Sequence, residues 1–86
     1  MELEPPRVRL ARGLVHLFEG YGQRRTTPAP SLRVSQERLG MMLSLSRQTV
    51  NELLRHLEQQ QIIACRRGGV RILDVARLGE AARGAG

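Results

Sequence analysis

Lysine and tryptophan are absent from this 86-residue sequence, and its aromatic side chains are reduced to Phe18 and Tyr21. With so few rings there is no platform on which unpaired bases could stack, which argues against a single-stranded RNA-binding fold. The single cysteine, Cys65, excludes an internal disulfide, and with no Cys or His partner at ligand spacing it makes no zinc site. No apolar run approaches the roughly 20 residues of a membrane span. The start, Met1-Glu2-Leu3-Glu4-Pro5-Pro6, has neither the basic flank nor the apolar stretch of a secretion signal, so a cytoplasmic protein is expected. Catalysis lacks its parts as well: the acids are scattered, no nucleophile stands beside a His and an acid, and no glycine loop cradles phosphate. His16 and His56 have no ligand partners in reach. No catalytic residue, metal or cofactor is therefore expected in this domain.

What the chain has instead is arginine, fourteen of them against eight acids, for a formal charge of +6 and a pI near 11.4. The guanidinium is a planar fork suited to phosphate and to guanine, where an ammonium is only a point charge. A polyanionic partner follows, nucleic acid first among them. At this length the chain forms one domain that buries on the order of 60% of its unfolded surface, and the core falls to Leu, Ile, Val and Met.

The stretch from Ser46 to Glu58 reads as one amphipathic helix. Val50, Leu53, Leu54 and Leu57 make the i, i+3, i+4, i+7 stripe that packs on a core. The other face begins with Arg47, Gln48, Asn51 and Glu52, whose forked or planar tips can read base edges, and Ser46 is placed as the N-cap. Upstream, Gln36 to Leu43 forms a shorter helix capped by Ser35. The joint Ser44-Leu45 is so short that the two must cross in contact, a helix-turn-helix. Leu39, Leu43, Leu45, Val50 and Leu53 are expected between them, with Gly40 permitting a close approach.

Around this pair the chain divides simply. Residues 1–6 read as a linker. Arg7 to Tyr21 reads as a helix with Val8, Ala11, Leu14, Val15 and Phe18 as its main stripe, widened by Leu10, Leu17 and Tyr21; Gly20 and Gly22 suit its end. Residues 22–31, with two prolines and no apolar period, read as an exposed loop from which Arg24 and Arg25 could brush a phosphate backbone. Leu32-Arg33-Val34 alternates like a short strand. Ile62 to Arg66 and Val70 to Leu73 flank Arg67-Gly68-Gly69 as a hairpin with a basic tip. Following a helix-turn-helix, that hairpin is a wing, which places Arg66, Arg67 and Arg71 for phosphates beside the groove. Asp74 caps a last helix, Val75 to Ala82, expected to pack Val75 and Leu78 on the body. Residues 83–86 read as a frayed tail, which leaves 7–82 as the domain.

The run Leu45-Ser46-Arg47-Gln48-Thr49-Val50-Asn51, then Leu54-Arg55-His56-Leu57-Glu58 and Ile62-Ile63 into a glycine-containing wing, resembles the C-terminal domain of Crp/Fnr-type bacterial transcription regulators over residues 7–82. The resemblance implies an α+β winged helix-turn-helix: a three-helix core, a small antiparallel hairpin wing and a short C-terminal helix. It implies sequence-specific binding of double-stranded DNA by a homodimer on a palindromic operator, one recognition helix per major groove. RNA polymerase is a further partner class that it admits, and a membrane is not. In that family a sensory β-roll and a dimerisation helix precede this domain; neither is present here, so the chain reads as an excised DNA-binding domain.

Carried over by position, Arg47 matches the arginine that grips guanine, and Gln48 a neighbouring base-reading position often held by Glu. Ser35, Ser46 and Thr49 match phosphate contacts, and Arg66 a basic wing position. Glu52 stands where a second base-reading arginine is common, so an unusual half-site is expected; a carboxylate there can accept from cytosine N4. Asn51 is taken with the base readers. Arg55 either pairs with Glu52 or Glu58 or touches a phosphate. Ser44 replaces the frequent turn glycine. Cys65 reads as a small buried hydrophobe and Met41 and Met42 as filler. The rival from another class is a winged helix that docks proteins and has no affinity for duplex DNA.

Overall fold

The computed structural model describes residues 4–21 and 31–84. Chain order is α1 (Pro6–Tyr21), β1 (Ser31–Leu32), α2 (Gln36–Leu43), α3 (Arg47–Gln59), β2 (Ile63–Arg66), β3 (Gly69–Ile72) and α4 (Val75–Ala82). The strands form one antiparallel sheet in the order β1-β3-β2. This is the α+β winged helix-turn-helix expected from the sequence. The loop carrying Arg24 and Arg25 lies outside the described residues.

Pro6 opens α1 one residue inside the expected linker. Its missing N–H costs nothing at a helix start, and the Pro5 carbonyl accepts from Val8 and Arg9. Val8, Leu10, Ala11 and Leu14 are buried, whereas Val15, Leu17 and Phe18 are only partly covered. The buried stripe is thus centred nearer Leu10 than its spacing alone suggested, because α1 packs chiefly against α4. On α4 the inward residues are Leu78 and Ala82, one turn apart. Val75, expected on the body, is 44% exposed: it is the first residue of α4, directly after the Asp74 cap, whose carboxylate accepts from Arg77 N at 3.0 Å.

Three arginines stitch helix ends to the rest of the fold. Arg9 donates to the Leu43 carbonyl at the end of α2. Arg12 donates to Ala82 O at 3.3 Å on α4, and Arg77 to Gln60 O at 2.9 Å just past α3. The last carbonyls of a helix have no partner within it and carry its partial negative charge. Part of the chain's basicity therefore serves the fold.

The turn between α2 and α3 is held by Gly40, whose carbonyl accepts from Ser44 N and from Leu45 N at 2.9 Å. A Cβ on Gly40 would lie 2.6 Å from the Leu45 carbonyl oxygen, so the close approach is to the turn itself. Ser44 adopts the left-handed region at φ 58, ψ 45, which is costly for any residue with a Cβ. Ser44→Gly is expected to relieve that strain. After the greater entropy of the unfolded glycine chain is set against it, the domain should gain up to about 1 kcal/mol, which is about 4–8 °C in a thermal melt. A lowered melting temperature would contradict it.

The wing differs from expectation in two places. Its turn is Arg67-Gly68, with Gly68 at φ +80, and Gly69 already belongs to β3, paired with Arg66. Gly69 is required elsewhere: a Cβ there would sit 2.2 Å from the Leu32 carbonyl oxygen of β1. β1 covers Ser31–Leu32 rather than 32–34, pairing Ser31 with Arg71 and Leu32 with Val70. Beyond Leu32 only Gly69 remains of the partner strand before the hairpin turn. Val34 stays buried as the chain enters the Ser35 cap.

Candidate nucleic-acid interface

On α3, Val50, Leu54 and Leu57 are buried and Leu53 is partly covered, so the opposite side of the helix is presented outward. Arg47, Gln48 and Glu52 are exposed on it and Asn51 is half-buried. Ser46 caps the helix: its hydroxyl accepts from Thr49 N at 3.0 Å and donates to the Thr49 hydroxyl at 2.9 Å. That leaves the Thr49 proton to give to another acceptor. Ser35 does the same work on α2, accepting from Arg38 N at 3.0 Å, and keeps its own hydroxyl proton. No acid lies in the first turn of α3. Arg47, its first residue, therefore puts a cation on the positive end of a helix dipole, which is unfavourable by roughly 0.3–1 kcal/mol unless an anion or polar acceptor meets it.

Gln48 donates to Glu52 Oε2 at 3.5 Å, one turn on. Asn51 donates from Nδ2 to Gln36 Oε1 on α2 at 3.2 Å. Glu52 makes no ion pair with Arg47 or Arg55 among the described residues, and Arg55 pairs with neither Glu52 nor Glu58. Of the two roles expected of Arg55, the pairing is absent among the described residues, and the residue is exposed on α3. Glu58 turns instead to the wing and accepts from Cys65 N at 3.0 Å. Cys65 is half-buried rather than buried, and burial, followed by the neighbouring Glu58 charge and its hydrogen bond, raises the thiol above its ordinary range. The thiol form is favoured and the sulfur is a poor nucleophile.

A cleft of about 300 Å³ between the helix-turn-helix and the wing is lined by Ser35, Gln36 and Arg47 together with Arg66, Gly68 and Gly69. The fold thus gathers Ser35, Arg47 and Arg66 around one opening. Arg66 and Arg67 are exposed at the wing tip. Arg71 stands apart from them: it lies in the middle strand opposite Ala64 and Ser31, half-buried, and its Nε has no hydrogen-bond partner among the described residues. Met41 and Met42 are exposed, 77% and 49%, on α2. Among the described residues no group of three or more His, Cys, Asp or Glu could hold a metal ion, and no helix is long and apolar enough to cross a membrane.

Two residues of this surface were not legible from the sequence. Gln36 meets Asn51 fifteen positions away, a tertiary contact with no local signature. Glu58 reaches Cys65 across the bend after α3, where helix periodicity says only that it is exposed.

The sequence matches the model of the Crp-like helix-turn-helix domain over residues 8–81. Among solved structures, a CRP/FNR-family transcriptional regulator from Thermus thermophilus superposes with a TM-score of 0.86 at 23% identity, covering 96% of this chain and 43% of that one. The catabolite activator protein of the same organism gives 0.77 at 26% identity, covering 93% and 35%. A CO-dependent transcription factor from Carboxydothermus hydrogenoformans gives 0.76 at 29%, covering 88% and 36%. The chain spans less than half the length of each. No curated protein matches the sequence. With the family model covering nearly the whole chain and the helix-turn-helix and wing in place, the chain belongs to the Crp-like helix-turn-helix family and is a DNA-binding domain of the transcription-regulator type.

Proposed function

We propose that the domain binds double-stranded DNA in a sequence-specific manner, with α3 in the major groove and the wing on the backbone. The observation that carries this is the exposed front of α3, where Arg47 occupies an electrostatically unfavourable helix start that an electronegative partner would relieve. Arg47, Gln48, Asn51 and Glu52 read bases in this proposal. Ser35, Ser46, Thr49, Arg55, Arg66, Arg67 and Arg71 serve the phosphates, with Ser46 acting through Thr49, whose hydroxyl it orients, and Arg71 from deeper in the sheet. The operator is palindromic and bound by a homodimer of a longer cytoplasmic regulator. A single domain binds weakly, since two linked domains gain through effective concentration.

Titration of a duplex at two salt concentrations tests this directly. Phosphate neutralisation releases counterions, so affinity should fall steeply with salt. The protein-docking rival, which Met41 and Met42 favour, expects no duplex affinity near physiological salt. Arg67→Ala should weaken binding to all sequences alike and reduce the magnitude of the slope of log K against log salt by about 1. An effect confined to one sequence would contradict the placement of Arg67 on phosphate.

A further inference from the structure

Asn51 differs from the other residues of the reading face in being half-buried and held from a different helix, its Nδ2 donating to Gln36 Oε1 at 3.2 Å. A carboxamide nitrogen carries two hydrogens and its oxygen only accepts. Donation to Gln36 through the hydrogen anti to Oδ1 leaves the syn N–H and Oδ1 side by side. That donor–acceptor edge is complementary to adenine in the major groove, which shows N7 as acceptor and the N6 amino group as donor. The same amide turned over would offer the groove only its NH2 end. It would then favour the acceptors of guanine, O6 and N7, or O4 of thymine.

The direction of the Asn51 amide is thus set by which kind of atom Gln36 places against it. Gln36 is the first residue of α2, and its Nε2 has no partner among the described residues. Directed at a phosphate of the duplex, that NH2 group would keep Oε1 turned back on Asn51. We propose that Gln36 is a positioning residue: it orients the Asn51 amide and thereby sets a preference for adenine at the base pair under Asn51. This rests on the DNA-binding reading above.

The test begins with selection from a random duplex pool at low salt by the 86-residue chain and by its Asn51→Ala variant, which identifies the base pair whose preference Asn51 controls. Four duplexes differing only at that pair are then titrated. Adenine should be favoured by roughly 5- to 150-fold, the span of a bidentate amide–adenine contact. Gln36→Glu retains an acceptor, so it should weaken all four duplexes through its charge yet keep their ratios. Gln36→Lys, which can only donate, should turn the amide and move the preference to guanine or thymine. A merely structural role for Gln36 would shift affinities or melting temperature and leave the ratios alone. Binding with no preference traceable to Asn51, or an adenine preference that survives Gln36→Lys, overturns the assignment of Gln36. If no duplex in the pool is enriched by the unaltered chain, the DNA-binding reading falls and takes this one with it.

Discussion

Replacing Arg47 by alanine is expected to remove about 1–3 kcal/mol of preference at one base pair and to relax the sequence requirement there. Two sides of the residue's situation lead to this. Outward, the guanidinium offers the fork that matches guanine O6 and N7. Inward it holds nothing: Arg47 is exposed, and none of the hydrogen bonds or ion pairs of the described residues uses its side chain. Its charge opposes the dipole of its own helix, so the variant should be as stable as the parent or slightly more so. The signature is a loss of discrimination between a selected duplex and its single-base variants, with an unchanged or raised melting temperature. Specific binding that survives the change intact would count against the docking proposed for α3.

The second large effect is on stability. Gly40→Ala should cost about 1–3 kcal/mol from overpacking, which the helix-propensity gain of about 0.5–1 kcal/mol at this position inside α2 only partly offsets. The new methyl would stand 2.6 Å from a backbone oxygen in the three-residue turn Ser44–Ser46, so backbone rather than a flexible side-chain end has to move. For a chain of this length, stability at ~0.05–0.15 kcal/mol per residue is about 4–13 kcal/mol, so the change removes a substantial share. Gly79→Ala is the control. That position is inside α4, and its Cβ would meet only the far end of Arg83 at 3.7 Å. There alanine should stabilise by about 0.5–1 kcal/mol through helix propensity. Thermal or denaturant unfolding of the two variants should move in opposite directions; a shift of the same sign in both would show that the turn contact is not what Gly40 is for.

Much of this was readable from local pattern. The caps Ser35, Ser46 and Asp74 all hold the backbone N–H three residues on, because capping is chemistry between near neighbours. The stripe of α3 and the hairpin were legible for the same reason. What escaped were contacts between distant segments. Gly69 resembled a turn residue until β1 was seen to pass over it. Val75 read as core on hydropathy, but only packing against α1 decides which side of α4 is inward. Net charge could not distinguish arginines available to a ligand from Arg9, Arg12 and Arg77, which are tied to carbonyls at or just past helix ends. At the candidate site the exposure of Arg47, Gln48 and Glu52 followed from the helical period, but the Gln36 link to Asn51 was invisible.

The two ties on the hairpin, Cys65 N to Glu58 on one side and Gly69 pressed against Leu32 on the other, have a mechanical consequence. They restrain the hairpin backbone relative to α3, so the span from that helix to the wing is set by the protein. On a duplex bound as proposed, that fixed span acts as a calliper: helices whose local width already matches it dock without distortion, and stiff or mismatched ones must be bent to fit. Discrimination would then extend to base pairs that no side chain touches, through the energy needed to deform them.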